Sequence, residues 1–437
     1  VPPCAGARPR RRGTRHDHCP PPPRRRGVRR RHRAPRGRRR ALAPAAHAAS
    51  SPAAGPPGTG LYGTKDPQWD GVFRQSLAFL AQQATGVEPA EEAVGWLLAQ
   101  QCDNGGFPSY RADTSAPCAA DLPLDSNATA LALQALKGVD SHGDEPAKAR
   151  EKAKGWLRGN QNKDGGWGYN PGFPSDANST SLVIGALAST GERPGDVLSA
   201  DGKSPYDALL SFAVPCTAGK GAGAFAYQPG KGGELPPNDD ATAAAVLGGL
   251  GKHLLVKGIE PGQQPTCEDS AKPSAERAAR NGAAYLAGVL ESKGHVPLPA
   301  MPGATEAPAD QPDLGNTADA VVALYAAGHG DKAEKAVELL QKEGPAWAKE
   351  AGPAAYAQLV LAARAAGADP RDFGGTDLVR ALNATGPKPA STPEERAKEK
   401  EAQEEEGYGV GFWLMIGAFA LAGVGIGFLL SGRGKKR

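Results

Sequence analysis

Two stretches of the chain match each other at a fixed offset of 60 residues. Ala93–Tyr110 reads AVGWLLAQQCDNGGFPSY and Ala153–Tyr169 reads AKGWLRGNQNKDGGWGY, so Trp96 and Trp156, Gln101 and Gln161, and the glycine pairs 105/106 and 165/166 share one register. A period of this length marks stacked supersecondary units, none of which can bury its apolar face alone. Each unit reads as a helix with an inward aromatic residue, ended by an Asp/Asn-Gly-Gly turn in which glycine can take positive φ. An aromatic residue then folds back on the helix end.

A second element follows each turn. Asp125-Ser-Asn127-Ala-Thr129 leads into ALALQAL, Asp176-Ala-Asn178-Ser-Thr180 into SLVIGAL, and Asn238-Asp239-Asp240-Ala-Thr242 into AAAVLGGL; a fourth copy, Gly315-Asn316-Thr317-Ala318-Asp319, leads into AVVALYAAG. Short polar side chains just before an apolar run are N-caps, accepting hydrogen bonds from the free N–H groups of the first turn. The helices they start are rich in Ala and Gly and nearly uncharged, as expected of helices buried on several sides. About twelve helices are predicted, near 70–84, 89–101, 127–136, 147–161, 179–188, 205–213, 240–250, 274–290, 317–327, 332–341, 353–366 and 376–383. Aromatic residues make up only 6% of the chain, so the core is built of Ala, Leu and Val, which suits helix on helix and disfavours an all-β fold. The fold class expected is all-α. Six helical hairpins in series, outer amphipathic helices alternating with inner apolar ones, close into an α/α toroid; an open solenoid is the competing arrangement.

The ends differ from this body. Residues 1–40 hold 16 Arg against one acid, Asp17, which leaves the rest of a +4 chain at about −11. That tail has no aromatic residue for base stacking, so nucleic-acid binding is not expected. It also lacks a clean apolar stretch for secretion, since Ala41–Ala49 is broken by Pro44 and His47. Residues 1–60 are therefore read as a disordered Arg/Pro/Ala-rich tail, from a misassigned start or a degenerate signal region. At the other end Val410–Leu430 carries no charge and is long enough to cross a bilayer of ~30 Å as a helix. A charged linker (386–409) precedes the expected span (410–431), and a basic tail (432–437) follows it. The positive-inside rule then puts that tail in the cytoplasm and the toroid, 61–385, outside, in a single-pass protein of the cell membrane. The four cysteines of the body fit an exterior location. Cys102, Cys118, Cys216 and Cys267 show no Cys-x-x-Cys spacing, and of three connectivities the one expected is Cys102 with Cys118 and Cys216 with Cys267, each stapling one long loop, with free buried thiols as the alternative.

With Trp96–Phe107 and Trp156–Trp167 matching a QW motif, the chain resembles the prenyltransferase and squalene-cyclase repeat superfamily, whose members form α/α toroids. The resemblance covers about 61–385 and weakens after Lys252, where YLAGVLESKGH (Tyr285–His295) has lost both the Gln and the Trp. Cyclases of this superfamily protonate an alkene with an Asp-x-Asp-Asp-Thr acid at an inner-helix N-terminus. Here Asn127 and Asn178 stand in the acid's place, and an amide cannot donate that proton. Asp240 in the third copy has a carboxylate there without the flanking acids, and the plain reading of Asp239 and Asp240 is helix capping. No Asp-Asp-x-x-Asp string for magnesium is present. Nor is there a Cys-Gly-Glu-Gln thioester or a Gly-x-Ser-x-Gly elbow. The body's histidines, His142, His253, His295 and His329, stand alone, so no metal site is expected.

What the resemblance then implies is a binding protein close in character to the non-catalytic transcobalamin-like carriers, with a corrinoid as one candidate ligand and an isoprenoid as another. Asp125, Asn127, Asp176, Asn178, Asp240 and Asn316 would line the mouth of the ring, although capping accounts for each of them singly. The expected partners are a small-molecule ligand, the membrane through the C-terminal helix, and a transporter or lid-domain protein. A terpenoid cyclase or prenyltransferase-type enzyme using Asp240, with Asp239 beside it, is the first alternative. A structural module of the cell envelope is the second. Asn127, Asn178 and Asn383 also begin glycosylation sequons, which the repeated cap explains for the first two.

Overall fold

A computed structural model describes residues 60–258, 262, 264–299, 310–398 and 400. The chain divides into two units, Val1–Ala49, which lies wholly outside the described residues, and Ser50–Arg437. The expected membrane span also lies outside them; among the described residues no helix is long and apolar enough to cross a membrane.

The second unit is helix-rich. Twelve α-helices follow one another: α1 (Gly71–Ala84), α2 (Glu91–Gln100), α3 (Ser126–Leu136), α4 (Glu145–Gly159), α5 (Ala177–Ser189), α6 (Pro205–Leu210), α7 (Asp239–Gly249), α8 (Ala275–Lys293), α9 (Leu314–Ala327), α10 (Glu334–Ala351), α11 (Pro353–Ala365) and α12 (Leu378–Asn383). The one sheet among the described residues is the antiparallel pair β1 (Phe225–Ala226) and β2 (Pro237–Asn238). The odd-numbered helices pack in order, α1 on α3, α3 on α5, and so on to α11, and α11 packs back on α1. Each even-numbered helix lies against the odd one before it.

Capping explains where the inner helices start. Asp125 accepts from the N–H groups of Asn127 (2.7 Å) and Ala128 (2.9 Å), Asp176 from Ser179 (2.7 Å), Asn238 from Ala241 (2.7 Å) and Asp313 from Asn316 (3.0 Å). Two readings are corrected here. Asn238 caps α7, so Asp239 and Asp240 are first-turn residues whose side chains are free for other partners. The fourth copy starts at Asp313, not at Gly315, because the constant spacing is a cap followed four residues later by threonine. Asn316 lies inside the helix and donates back to Asp313 (2.9 Å). Helix α10 also runs past the expected 341, through Pro345, with Gly344 close against Leu359.

Those threonines tie outer to inner layer. The backbone N–H of Phe107, Trp167, Phe225 and Val296 donates to the hydroxyl of Thr129 (2.9 Å), Thr180 (3.1 Å), Thr242 (2.9 Å) and Thr317 (3.0 Å). The repeat therefore persists through the region where the Gln and Trp are lost. In the first two units the glutamine amide staples its own turn to the next unit: Gln101 donates to the carbonyls of Gly105 and Ala149, and Gln161 to those of Gly165 and Val197. Gly105 (φ 97°) and Gly165 (φ 94°) have no substitute, since a Cβ there would stand 2.3 Å from the Lys152 carbonyl oxygen and 2.1 Å from that of Ser204. Disulfides join Cys102 to Cys118 and Cys216 to Cys267.

The two ends of the body are stitched together. Gly63 N–H donates to Thr385 O (2.8 Å) and Gln82 to Asn383 (2.8 Å). Farther on, Ser391 forms a bridge with Glu88, and Arg396 donates to Ser391 Oγ and to the Gly86 carbonyl. The described part of the expected linker is thus attached to the turn after α1.

Candidate functional site

All six inner helices contribute to one cavity of about 280 Å³. Phe73 and Leu77 come from α1, Asn127 from α3, Asn178 and Leu182 from α5, Asp240, Ala243, Ala244 and Leu247 from α7, Asp319 and Val322 from α9, and Gln358 and Leu361 from α11. First-turn residues of α3, α5 and α7 make its polar end. At the far ends of these helices, Gln83 of α1 donates to Ala135 O of α3, and the segment after α7 crosses beneath. His253 lies against Gly185, Gly258 against Ala365, and Gly262 donates to Gly328 O (2.9 Å). Leu254 of that segment also lines the cavity.

Polar groups at the mouth are paired across helices. Asn178 Nδ2 donates to Asp240 Oδ2 at 2.6 Å, and Gln358 Nε2 to Asp319 Oδ2 at 3.2 Å. Burial pushes the Asp319 carboxyl up to about 7, with the Asp240 charge and then that of Asp313 adding to the rise and the Gln358 hydrogen bond opposing it. Asp319 is half-buried, in a cavity wall that also holds the apolar Val322 and Leu361. Burial likewise raises Asp240, opposed by Asn178. One carboxyl of the two is therefore readily protonated near neutrality, a state in which it can donate as well as accept. The Asn178 bond to Asp240 also fixes which way its amide faces, and leaves Asn178 Oδ1 buried without a partner, as Asn127 Oδ1 is.

Of the six residues expected at the mouth, the structure brings Asn127, Asn178 and Asp240 into the cavity wall. Asp125 and Asp176 are caps, with carboxyls raised by burial and held by backbone N–H groups; Asn316 bonds to its own cap and does not line the cavity. Asp239 instead accepts from Tyr285 Oη at 2.7 Å, a tie between α7 and α8. Asp319 and Gln358 were not singled out as site residues. Each is a polar residue inside an otherwise apolar inner-helix run, which is the signal that marks them. Among the described residues no group of His, Cys, Asp and Glu is arranged to hold a metal ion.

No protein-family model matches the chain. A stretch of 196 residues is 31% identical to drimenyl diphosphate synthase of Streptomyces showdoensis, covering 35% of each chain, so the match spans about a third of that relative's length. A crystal structure of a sugar epimerase from a ruminal bacterium aligns over 66% of this chain and 82% of its own, with a TM-score of 0.41 and 14% identity. At that score it defines no shared fold.

Proposed function

We propose that the closed order of inner helices is an α/α toroid of the prenyltransferase/squalene-cyclase type, and that the chain is a binding protein which takes a small molecule into the mouth of the ring. The observation that supports this is one cavity walled by every inner helix, apolar below and hydrogen-bonding above, where Asp240 and Asp319 each spend one carboxyl oxygen on a neighbouring amide. The volume suits an isoprenoid-sized apolar body. A corrinoid is too large for the cavity, and its place in this proposal is across the mouth, with only its amide side chains reaching Asn127 and Asn178. In keeping with the two disulfides, we place the toroid outside the cytoplasm, anchored through 410–431 and serving a transporter or a lid-domain partner.

Native mass spectrometry of the full-length protein purified from its own host tests this reading. A retained small molecule, lost in Ala244→Trp, is the expected result; a bare protein mass, unchanged after mixing with isoprenoids and corrinoids, removes the binding function.

A second reading has its own support. Asp240 and Asp319 put a protonated carboxyl in an apolar cavity, and the partial relative is a synthase, so acid catalysis on an isoprenoid is the enzymatic alternative. Turnover of a retained isoprenoid that falls by 100-fold or more in Asp240→Asn (about 10²–10⁴ for a lost general acid) would establish it.

A further inference from the structure

The polar end of the cavity is unbalanced in favour of acceptors. It holds the carboxyls of Asp240 and Asp319, each using one oxygen on a neighbouring amide, and among the described residues no Lys, Arg or His lines it. Of its three amide donors two are engaged, Asn178 Nδ2 by Asp240 and Gln358 Nε2 by Asp319, which leaves Asn127 Nδ2 as the single amide donor without a partner among the described residues, against two carboxyls. Inner-helix N-termini would ordinarily draw an anion to this end. Here the caps Asp125, Asp176, Asn238 and Asp313 occupy first-turn N–H groups of α3, α5, α7 and α9, and three of them add negative charge. The remaining wall, from Leu77 and Leu182 down to Leu254, is apolar.

We infer that the molecule this cavity takes carries a hydrogen-bond-donating head group, an amine or a primary amide, on an apolar body, and that an isoprenoid diphosphate is excluded from it. This rests on the cavity being the ligand site. An ammonium or amide N–H₂ donates to the carboxyl oxygens that Asn178 and Gln358 leave open on Asp240 and Asp319, and an ammonium also neutralises the carboxyl pair. A diphosphate would bring two or more negative charges beside two carboxyls without a side-chain cation to offset them. Excluding it also separates this cavity from the product named for the partial relative.

The test holds the tail constant and varies the head. Full-length protein is titrated with geranylamine, geraniol and geranyl diphosphate, the last with and without magnesium, in wild type, Asn178→Leu, Asp319→Asn and Ala244→Trp. The amine is expected to bind at least about tenfold more tightly than the alcohol, as a charge-assisted hydrogen bond allows, and the diphosphate not at all. Asn178→Leu and Asp319→Asn should each reduce the preference for the amine over the alcohol. Binding of the diphosphate as tight as the amine, in either metal condition, or equal binding of amine and alcohol, overturns the inference. If such binding is still lost in Ala244→Trp, the cavity remains the site and only the head-group assignment fails. If no probe binds, or binding survives Ala244→Trp with the helical signal intact, the cavity reading fails as well.

Discussion

Asp319 is the single charge in α9, and its surroundings make ionisation costly. A carboxyl held at about 7 in the folded chain and near 3.9 in the unfolded one lowers stability as pH rises. Below about pH 4 both states are protonated and the penalty is absent; it grows between about 4 and 7 and is constant above. Asp319→Asn should therefore raise the melting temperature by roughly 4 °C or more at pH 8 and by under about 1 °C at pH 4, measured by thermal unfolding across that range. An equal gain at both values would place the carboxyl's folded pKa near its ordinary one. At this scale the sequence was only partly legible. Asp240 stands out because its repeat-mates are amides, whereas Asp319 was absorbed into a cap, since Asn316-Thr317 imitates the Asn-x-Thr of the other copies. The true register shows in the spacing of four from cap to threonine, and in the folded chain the Thr317 hydroxyl donates to the Asp313 carbonyl while Asn316 bonds to the Asp313 carboxyl.

Helix limits were more legible, since caps and Gly-Gly turns are local chemistry. They also give a sharp contrast between like substitutions. Gly165→Ala should destabilise the protein by about 2 kcal/mol or more, because φ is positive and the Ser204 carbonyl blocks the new methyl group. Gly155→Ala, ten residues earlier in α4 with open space around it, should stabilise by about 0.5–1 kcal/mol. Urea unfolding of the two variants checks both signs. Thr242→Val should cost about 1–3 kcal/mol in the same assay, since it strands the buried N–H of Phe225. What no local signal carried was the length of α10, where Gly344 and Pro345 read as an interruption. In the folded chain Gly344 lets α10 approach Leu359 of α11, and that tertiary contact outweighs the hydrogen bond that Pro345 cannot make.

At the scale of the whole molecule the chain must bring α11 back to α1, and long-range staples limit how far the unfolded chain can stray. The Cys216–Cys267 loop spans 51 residues and Cys102–Cys118 spans 16. Replacing the first pair by Ser should cost about 4 kcal/mol and the second about 3, in denaturant unfolding under oxidising conditions. The closure itself was legible only as an expectation from serial hairpins; the contacts that make it, such as Gln82 with Asn383, join residues 301 apart and follow no sequence pattern. These same contacts decide how the body is held. Ser391 and Arg396 fasten the outgoing chain beside Gly86 and Glu88, at the end where α1 finishes, whereas the polar end of the cavity is built where the inner helices begin. A pull on the chain from beyond Lys400 must first peel this clasp from the α1 turn before strain reaches α12, so the clasp, and not the helix packing behind it, is the first contact to yield.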